Sequence, residues 1–532
     1  MTTLPDHPAL RSALLTYLGN KRRLLPLVWR GLHAAGQDGG PLQTLADPFT
    51  GSGVVARMGR LAGLSVTAGD IEDYTGPGSR AFLELDPRRA DELLAPGGGY
   101  AAVLEHLNQL RQPSNPDGAY FARHYAPADT AHADPDRERM FYTRENALRL
   151  DAMLEEIHGS YRGHARDLLL AGVLVKMSIH NNTSGVMKGF HRGWGGRGGD
   201  ALNRIMAPIE LEPLPLITGA QGRAFVCAAD QLPGPRGGGG YDVAYLDPPY
   251  TTHQYGANYH LLTSAVRHDF WDPGPVRRGR RAGIRSDHYR SEHCRRGGTH
   301  ARDALARVLE SIAARVVLVS YNDDGILAPP EMVQLLAGDG SCRVELLEQD
   351  YHAFRGGKAT GAAVGTRELL FVVRRGLSQS ARERGEIVAY LTRRMAEREL
   401  HRRFLLPDRW LAAGGRLEAD ERGYLARWGT GVRLHLDTSL RVRRVTLPDE
   451  APPESPLREL QQLTDGSLVT ALESALAAQL SGSVLALLPR LKVRKYHAAR
   501  SRLLPAIRRL PLSDAQRRRL EDIVARMEET EG

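Results

Sequence analysis

Apolar and polar positions along the first hundred residues alternate in a way that builds a parallel sheet. A short apolar run over 44–46 predicts a strand, and Asp47-Pro48-Phe49-Thr50-Gly51-Ser52-Gly53 reads as the turn that follows it. Helical periodicity over 54–62 ends at Gly63, and a second strand over 64–68 closes at Gly69-Asp70. Strand, turn, helix and strand in that order make an α/β unit. The rhythm then lapses between about 74 and 222, where helical stretches such as 144–158 and 164–178 alternate with Gly- and Asn-rich loops. Strand signals return over 224–229, over 241–246 and over 315–320, whose heart is Val316-Val317-Leu318-Val319. Two more runs, 344–354 and 368–373, flank a Gly-rich connection and read as a closing antiparallel hairpin.

The pattern predicts an α/β domain over 1–73 and 223–377, interrupted by a helical insertion over 74–222. A C-terminal extension over 378–532 follows, mostly helical, with short strands such as 431–436 and with Pro453 and Pro456 in a linker. A length of 532 residues calls for two or three cores in any case. Hydrophobic residues at 42% and charged residues at 25% describe a globular chain, and no apolar run is long enough to predict a membrane-spanning helix. The first ten residues carry no signal-peptide pattern, so a cytoplasmic protein is expected. The three cysteines, Cys227, Cys294 and Cys342, lie far apart, which fits a reducing compartment and offers no zinc framework. A formal net charge of +9 favours a polyanionic partner, although an Arg-rich composition alone also produces it.

Two turns carry the chemistry. Gly51 and Gly53 let a ligand approach the backbone in front of a helix N-terminus, and Asp70, closing the next strand, is placed to bind ribose hydroxyls. That much suits several nucleotide cofactors, or none. Asp247-Pro248-Pro249-Tyr250 narrows the choice. It follows a buried-looking strand at the edge where open α/β sheets bind ligands. Its prolines remove donors and stiffen the turn, so that carbonyls and the Asp247 carboxylate converge as acceptors for the two N–H groups of an exocyclic amine. Tyr250 offers a ring on which an extruded base stacks.

With these motifs the chain resembles the D12-class, Dam-like N6-adenine DNA methyltransferases of the α group, over roughly residues 15–375. The resemblance implies a Rossmann-like sheet that binds S-adenosyl-L-methionine. It makes Tyr17, Gly19 and Lys21 an N-terminal cofactor motif, with Asp47, Pro48, Phe49, Gly51 and Gly53 embracing the methionine part. Asp70 becomes the ribose acid, Asp230 the partner of the cofactor adenine, and Asp247, Pro248, Pro249 and Tyr250 the catalytic turn. It also implies that the insertion holds the target-recognition region, that the partner is double-stranded DNA, and that a cognate restriction or defence protein accompanies the enzyme. No metal is called for, and His253 and His260 read as polar histidines rather than ligands.

Three regions are candidates to hold nucleic acid. Residues 277–296 carry eight arginines, among them Arg280, Arg281 and Arg285, and read as a phosphate-contacting loop or as a solvated one. The stretch 180–192, with Asn181, Asn182, Lys188 and Arg192, is rich in side chains able to read base edges. Residues 490–520 hold eleven Lys or Arg against one acid, a solvated helix face or a further contact. Tyr255 and Asn258 are expected near the flipped base. Two other readings stand beside the DNA enzyme: an adenine-N6 enzyme acting on ribosomal RNA, and a binding protein that has lost catalysis.

Overall fold

A computed structural model describes residues 3–37, 40–115, 119–196, 198–199, 201–351, 366–420, 422–429, 431–446, 459–492 and 496–528. The chain divides into two compact units, Met1–Gln349 with Arg367–Ala381, and Asp350–Thr366 with Arg382–Gly532.

The first unit is built on seven strands: β1 (Thr44–Asp47), β2 (Ser65–Asp70), β3 (Arg223–Val226), β4 (Tyr241–Leu246), β5 (Ala314–Asn322), β6 (Cys342–Tyr351) and β7 (Thr366–Arg375). Their order across the sheet is β3-β2-β1-β4-β5-β7-β6. The first five are parallel, and β7 runs antiparallel to β5. Strand order therefore reverses between β1 and β4, which opens a crevice at their carboxyl ends. Val316, Val317, Leu318 and Val319 of β5 are all nearly inaccessible, as expected of a strand covered on both faces. Each such side chain contributes about 1.5–3 kcal/mol of burial free energy.

One face of this sheet is covered by α1 (Leu25–Ala35) and α2 (Val54–Leu61), whose Leu25, Val28, Leu32, Val55 and Met58 share a core with Leu45, Val243, Leu318 and Leu370. Helix α1 carries no turn or cap that the sequence pattern singled out. Its sharpest local signal is Pro26 at the second helical position, where a missing N–H is harmless. The insertion opens with α3 (Thr75–Glu84), which packs against β3 and the helix Gly163–Ile179. The helices Arg144–Ser160 and Gly163–Ile179 form where the periodicity predicts them, the first capped by Thr143, whose hydroxyl accepts from Asn146 N at 3.2 Å. The insertion's core, with Phe121, Tyr125, Phe141, Leu150 and Leu169, takes in Tyr259, Leu261 and Leu262 from beyond the catalytic turn. The insertion and the helix that follows the Asp247-Pro248-Pro249-Tyr250 turn thus share one hydrophobic core.

The hairpin expected over 344–373 corresponds to β6 and β7, with residues 352–354 of that expectation outside the described residues. In the second unit the extension is less uniformly helical than its sequence predicts. It contains a four-stranded antiparallel sheet in the order Val442–Thr446, Val432–Asp437, Gly423–Trp428, Arg416–Asp420, together with helices between Leu468 and Glu528. The strand expected over 431–436 forms as Val432–Asp437, and polar and apolar residues also alternate along Arg416-Leu417-Glu418-Ala419-Asp420, the period of a half-buried strand. Its core gathers Trp410, Leu434, Leu472 and Leu487, while Pro453, Pro456 and residues 493–495 of the basic stretch lie outside the described residues. Among the described residues no helix is long and apolar enough to cross a membrane.

Candidate active site

The two turns singled out in the sequence emerge from adjacent strands. Asp47 ends β1 and Asp247 follows β4, and the register sets Leu45 opposite Val243 and Ala46 opposite Ala244. Both turns open into one cavity at the switch point. Its walls include Tyr17, Gly19, Lys21, Asp47, Pro48, Phe49, Gly51, Asp70, Asp230 and Asp247 to Tyr250. Of the expected cofactor-contacting residues only Gly53 is outside the wall. It stands behind it at φ +78° as the N-cap of α2.

Gly51 is required sterically. Its φ is +49°, and a Cβ there would lie 2.9 Å from Tyr17 Cε1. Tyr17 itself stacks on Tyr255, at 5.1 Å, and on Tyr259, at 5.0 Å, two rings that also neighbour each other at 6.4 Å. The same tyrosines hold the next residue: the Tyr259 hydroxyl accepts from Leu18 N at 2.6 Å and the Tyr255 hydroxyl donates to Leu18 O at 3.3 Å. Gly51 N in turn donates to Asp70 Oδ2 at 2.9 Å, and Glu72 N donates to Asp70 Oδ1 at 3.0 Å. Asp70 thus spends an acceptor site on each oxygen in tying the glycine turn to the end of β2. Burial pushes its carboxyl up to about 6, against the pull of those N–H donors.

Glu72, two residues on, was not anticipated. It lines the cavity, is buried, and has its carboxyl raised to about 8 by burial and then by the Asp70 and Asp73 charges. A second carboxylate two positions past a strand end gives no sequence signal distinct from an ordinary surface acid. Asp230 sits exposed at the rim on the 3-10 turn Ala229–Gln231. The opposite wall comes from an unexpected source, the end of the Arg-rich loop, where Tyr289, Ser291, Glu292 and His293 meet Ala304, Arg307 and Val308. His293 packs edge-on against Phe49 at 5.3 Å, and burial with Arg307 nearby lowers it to about 4, so the ring is neutral at pH 7.

At the Asp247-Pro248-Pro249-Tyr250 turn, Lys21 Nζ lies 3.0 Å from Asp247 Oδ1, and the lysine is almost wholly buried. Asn20 makes this possible, its side chain accepting from Arg22 N at 2.8 Å to cap the 3-10 turn Lys21–Leu24. Burial works against the Lys21 charge, but Asp247, Tyr250 and Glu368 outweigh it and raise its pKa well above the usual lysine value. For Asp247 burial pushes the carboxyl up and Lys21 holds it down. Asp47, buried and near Asp247, is pushed up to about 8 and is therefore mostly neutral at pH 7. Tyr250 is half-buried, carries Lys21 Nζ 5.0 Å from its ring centre and meets Tyr321 edge-on at 5.7 Å. Its carbonyl accepts from Ile326 N at 3.0 Å, so the turn is fixed from the β5 side as well.

The residues expected to meet nucleic acid divide differently. Asn181 and Asn182 are buried and bonded to backbone, Asn181 Nδ2 to Met177 O and Ser178 O, and Asn182 Nδ2 to His191 O. They shape the loop instead of projecting from it. Arg285 is also buried, with Nη2 2.6 Å from Asp269 and 2.8 Å from Asp287, so it braces the Arg-rich loop and is not a phosphate contact. Arg192 and Arg281 converge on one acid, Asp136, at 2.6 and 3.1 Å. Lys188 and Arg280 are exposed. Tyr255 lines the cavity, whereas Asn258 is buried away from it, its side-chain amide without a hydrogen-bond partner among the described residues. His260 is buried with Nε2 2.9 Å from Met187 O, while its Nδ1 has no hydrogen-bond partner among the described residues. Sequence cannot tell these braces from ligand contacts, because Asn and Arg serve both ends equally well.

Residues 235–272, which include the Asp247-Pro248-Pro249-Tyr250 turn, match the family described as D12 class N6 adenine-specific DNA methyltransferase. The chain is 28% identical to the modification methylase LlaI of Lactococcus lactis subsp. lactis over 374 residues, covering 68% of this chain and 55% of that protein. It is 25% identical to the type II methyltransferase M.NlaIII of Neisseria lactamica, over 65% of this chain and 93% of that one. It is 29% identical to the type II methyltransferase M.CviAII of Paramecium bursaria Chlorella virus 1, over 45% of this chain and 67% of the other. The chain thus spans about half the length of the first of these relatives. No solved structure matches it.

Proposed function

We propose, on the premise that this chain is a D12-class N6 adenine-specific DNA methyltransferase, that it methylates the N6 amine of adenine at a specific sequence in double-stranded DNA. The methyl donor is S-adenosyl-L-methionine, and the setting is a restriction-modification or phage-defence system in the cytoplasm. The observation that carries this reading is the meeting of the glycine turn and the Asp247-Pro248-Pro249-Tyr250 turn in one cavity at the switch point of the sheet.

The cavity fits such a donor. The missing side chain of Gly51 lets backbone and ligand share the space beside Tyr17, and Asp70, Glu72 and Asp230 offer acceptors for hydroxyl and amine donors. When bound, S-adenosylmethionine supplies a methyl group on a positively charged sulfur. The chain's own residues position the acceptor. Asp247 and the carbonyl of Pro248 are the acceptors for the two N6 protons, which keeps the nitrogen lone pair available. Tyr250 stacks on the adenine and pays part of the cost of extruding it. Positioning and fixed charges supply the acceleration, with no bond-cleaving acid needed.

We assign residues 1–73 and 223–377 to the catalytic domain and 74–222 to target recognition, with Lys188 and Arg280 as phosphate contacts. Expression of the chain in cells free of adenine methylation, followed by long-read mapping of their DNA, tests this. N6-methyladenine in one short sequence context is expected, and its absence from all contexts contradicts the reading.

A further inference from the structure

Sheet register brings a carboxylate to the catalytic turn that the transfer reaction does not use. In the β5–β7 ladder Ser320 faces Leu370 and Asn322 faces Glu368. In the β4–β5 ladder Leu246 faces Val319, so Asp247 comes next, in line with Ser320. Side chains alternate along strands, which puts Tyr245, Asp247, Ser320 and Glu368 on one face of the sheet. That face is the one covered by α1 and the turn leading into it, since Tyr245, Leu318 and Leu370 share its core and Leu370 packs against Gly31.

Glu368 is 3% exposed, and its Oε2 is buried without a hydrogen-bond partner. An orphaned carboxylate oxygen at this depth costs free energy unless something uses it. Its cationic neighbour is Lys21, whose charge is stabilised by Glu368 as well as by Asp247. Lys21 stands 3.0 Å from Asp247 Oδ1, an ion pair that leaves this oxygen without a hydrogen bond, and its charge holds the carboxylate that the target amine needs. A buried ammonium cannot leave one carboxylate unless another receives it.

We propose that Glu368 is a positioning residue, the second counter-ion to which Lys21 moves when the target amine enters, freeing Asp247 to accept from N6. This rests on the adenine-N6 reading above. No covalent step is involved: Lys21 keeps its proton and exchanges one carboxylate for another.

The exchange needs an ionised Glu368. Burial, opposed by Lys21 and reinforced by Asp247 and Asp323, puts its carboxyl at about 7. The titratable groups facing it are Lys21 from the N-terminal turn, Asp247 and Tyr250 from the end of β4, and Asp323 beyond β5. Below that pH the neutral acid leaves Lys21 on Asp247; above it the carboxylate accepts the lysine. Single-turnover methyl transfer to adenine-containing duplex DNA is therefore measured from pH 6 to 8.5 for wild type, Glu368→Gln and Glu368→Asp, with donor affinity determined for each. Wild type is expected to speed up through pH 7. Glu368→Gln is expected to be slower by about 10-fold at pH 8 and to lose the inflection, while its donor affinity stays within about threefold of wild type. Glu368→Asp, keeping the charge, recovers part of the rate and the inflection, and carries the test alone if the amide variant does not fold. Wild-type rate or wild-type pH profile in Glu368→Gln overturns the proposal, as does Glu368→Asp performing no better than the amide. An active wild type with an indifferent Glu368→Gln strikes only this inference. A wild type that binds donor but labels no adenine strikes the adenine reading, and this proposal falls with it.

Discussion

Gly51 is where a single methyl group has the largest foreseeable effect. Its positive φ disfavours any side chain by about 1 kcal/mol, and the added carbon would press on Tyr17, whose ring is packed against Tyr255 and Tyr259. Gly51→Ala should weaken donor binding about 10-fold or more, by calorimetric titration, while lowering stability by about 1–2 kcal/mol. Equal donor affinity in the variant would mean that the turn does not shape the cavity. Other residues were legible as types but not as roles. Asp47, Asp70 and Asp247 follow strands, and strand ends are visible in sequence; their convergence needs only the sheet order. Arg285 and Asn182 have the side chains of a DNA contact, yet burial assigns them to bracing, and burial of a loop residue has no local signal. Glu72 and Glu368 were missed for the converse reason, since a lone acid at a strand end looks like surface.

At the scale of elements, the segment 277–296 has two parts with different chemistry. Arg280 projects outward, Arg285 anchors the middle through Asp269 and Asp287, and the far end returns to the cavity at Tyr289 and His293. His293 contacts Phe49 edge-on, a geometry worth about 0.5–1.5 kcal/mol beyond area burial. His293→Ala should therefore reduce donor affinity about 2- to 12-fold with little change in DNA affinity measured without donor. A variant impaired only in DNA binding would show that the wall belongs to the DNA side. The sheet and the two long insertion helices were readable because apolar residues recur in them over runs of strand or helix length. Helix α1 was not, for want of a marked start beyond Pro26, and of the second unit's sheet the strand over 431–436 was legible while its pairing into four strands was not. Tertiary burial, not local pattern, selects both.

For the molecule as a whole, the buried acids of the cavity set a pH dependence. Glu72 has its carboxyl raised to about 8 from an ordinary value near 4.5, so the folded state binds more protons than the unfolded one between those values. Its contribution to stability is full at low pH and is lost as pH rises through that window. Glu72→Gln should thus be more stable than wild type by about 1–3 kcal/mol at pH 8, with the gain vanishing near pH 4.5, in denaturant titrations at both values. A constant difference across pH would show that its charge is not what the fold resists.

The central claim is that the Asp247 turn directs a methyl group onto adenine N6. It is tested most directly by incubating the chain with methyl-labelled S-adenosylmethionine and duplex DNA, digesting to nucleosides and locating the label. Wild type should place it in N6-methyldeoxyadenosine, and Asp247→Ala should place none while binding the donor within severalfold of wild type. Label on another base, or equal labelling of adenine by the Asp247→Ala chain, would contradict the account.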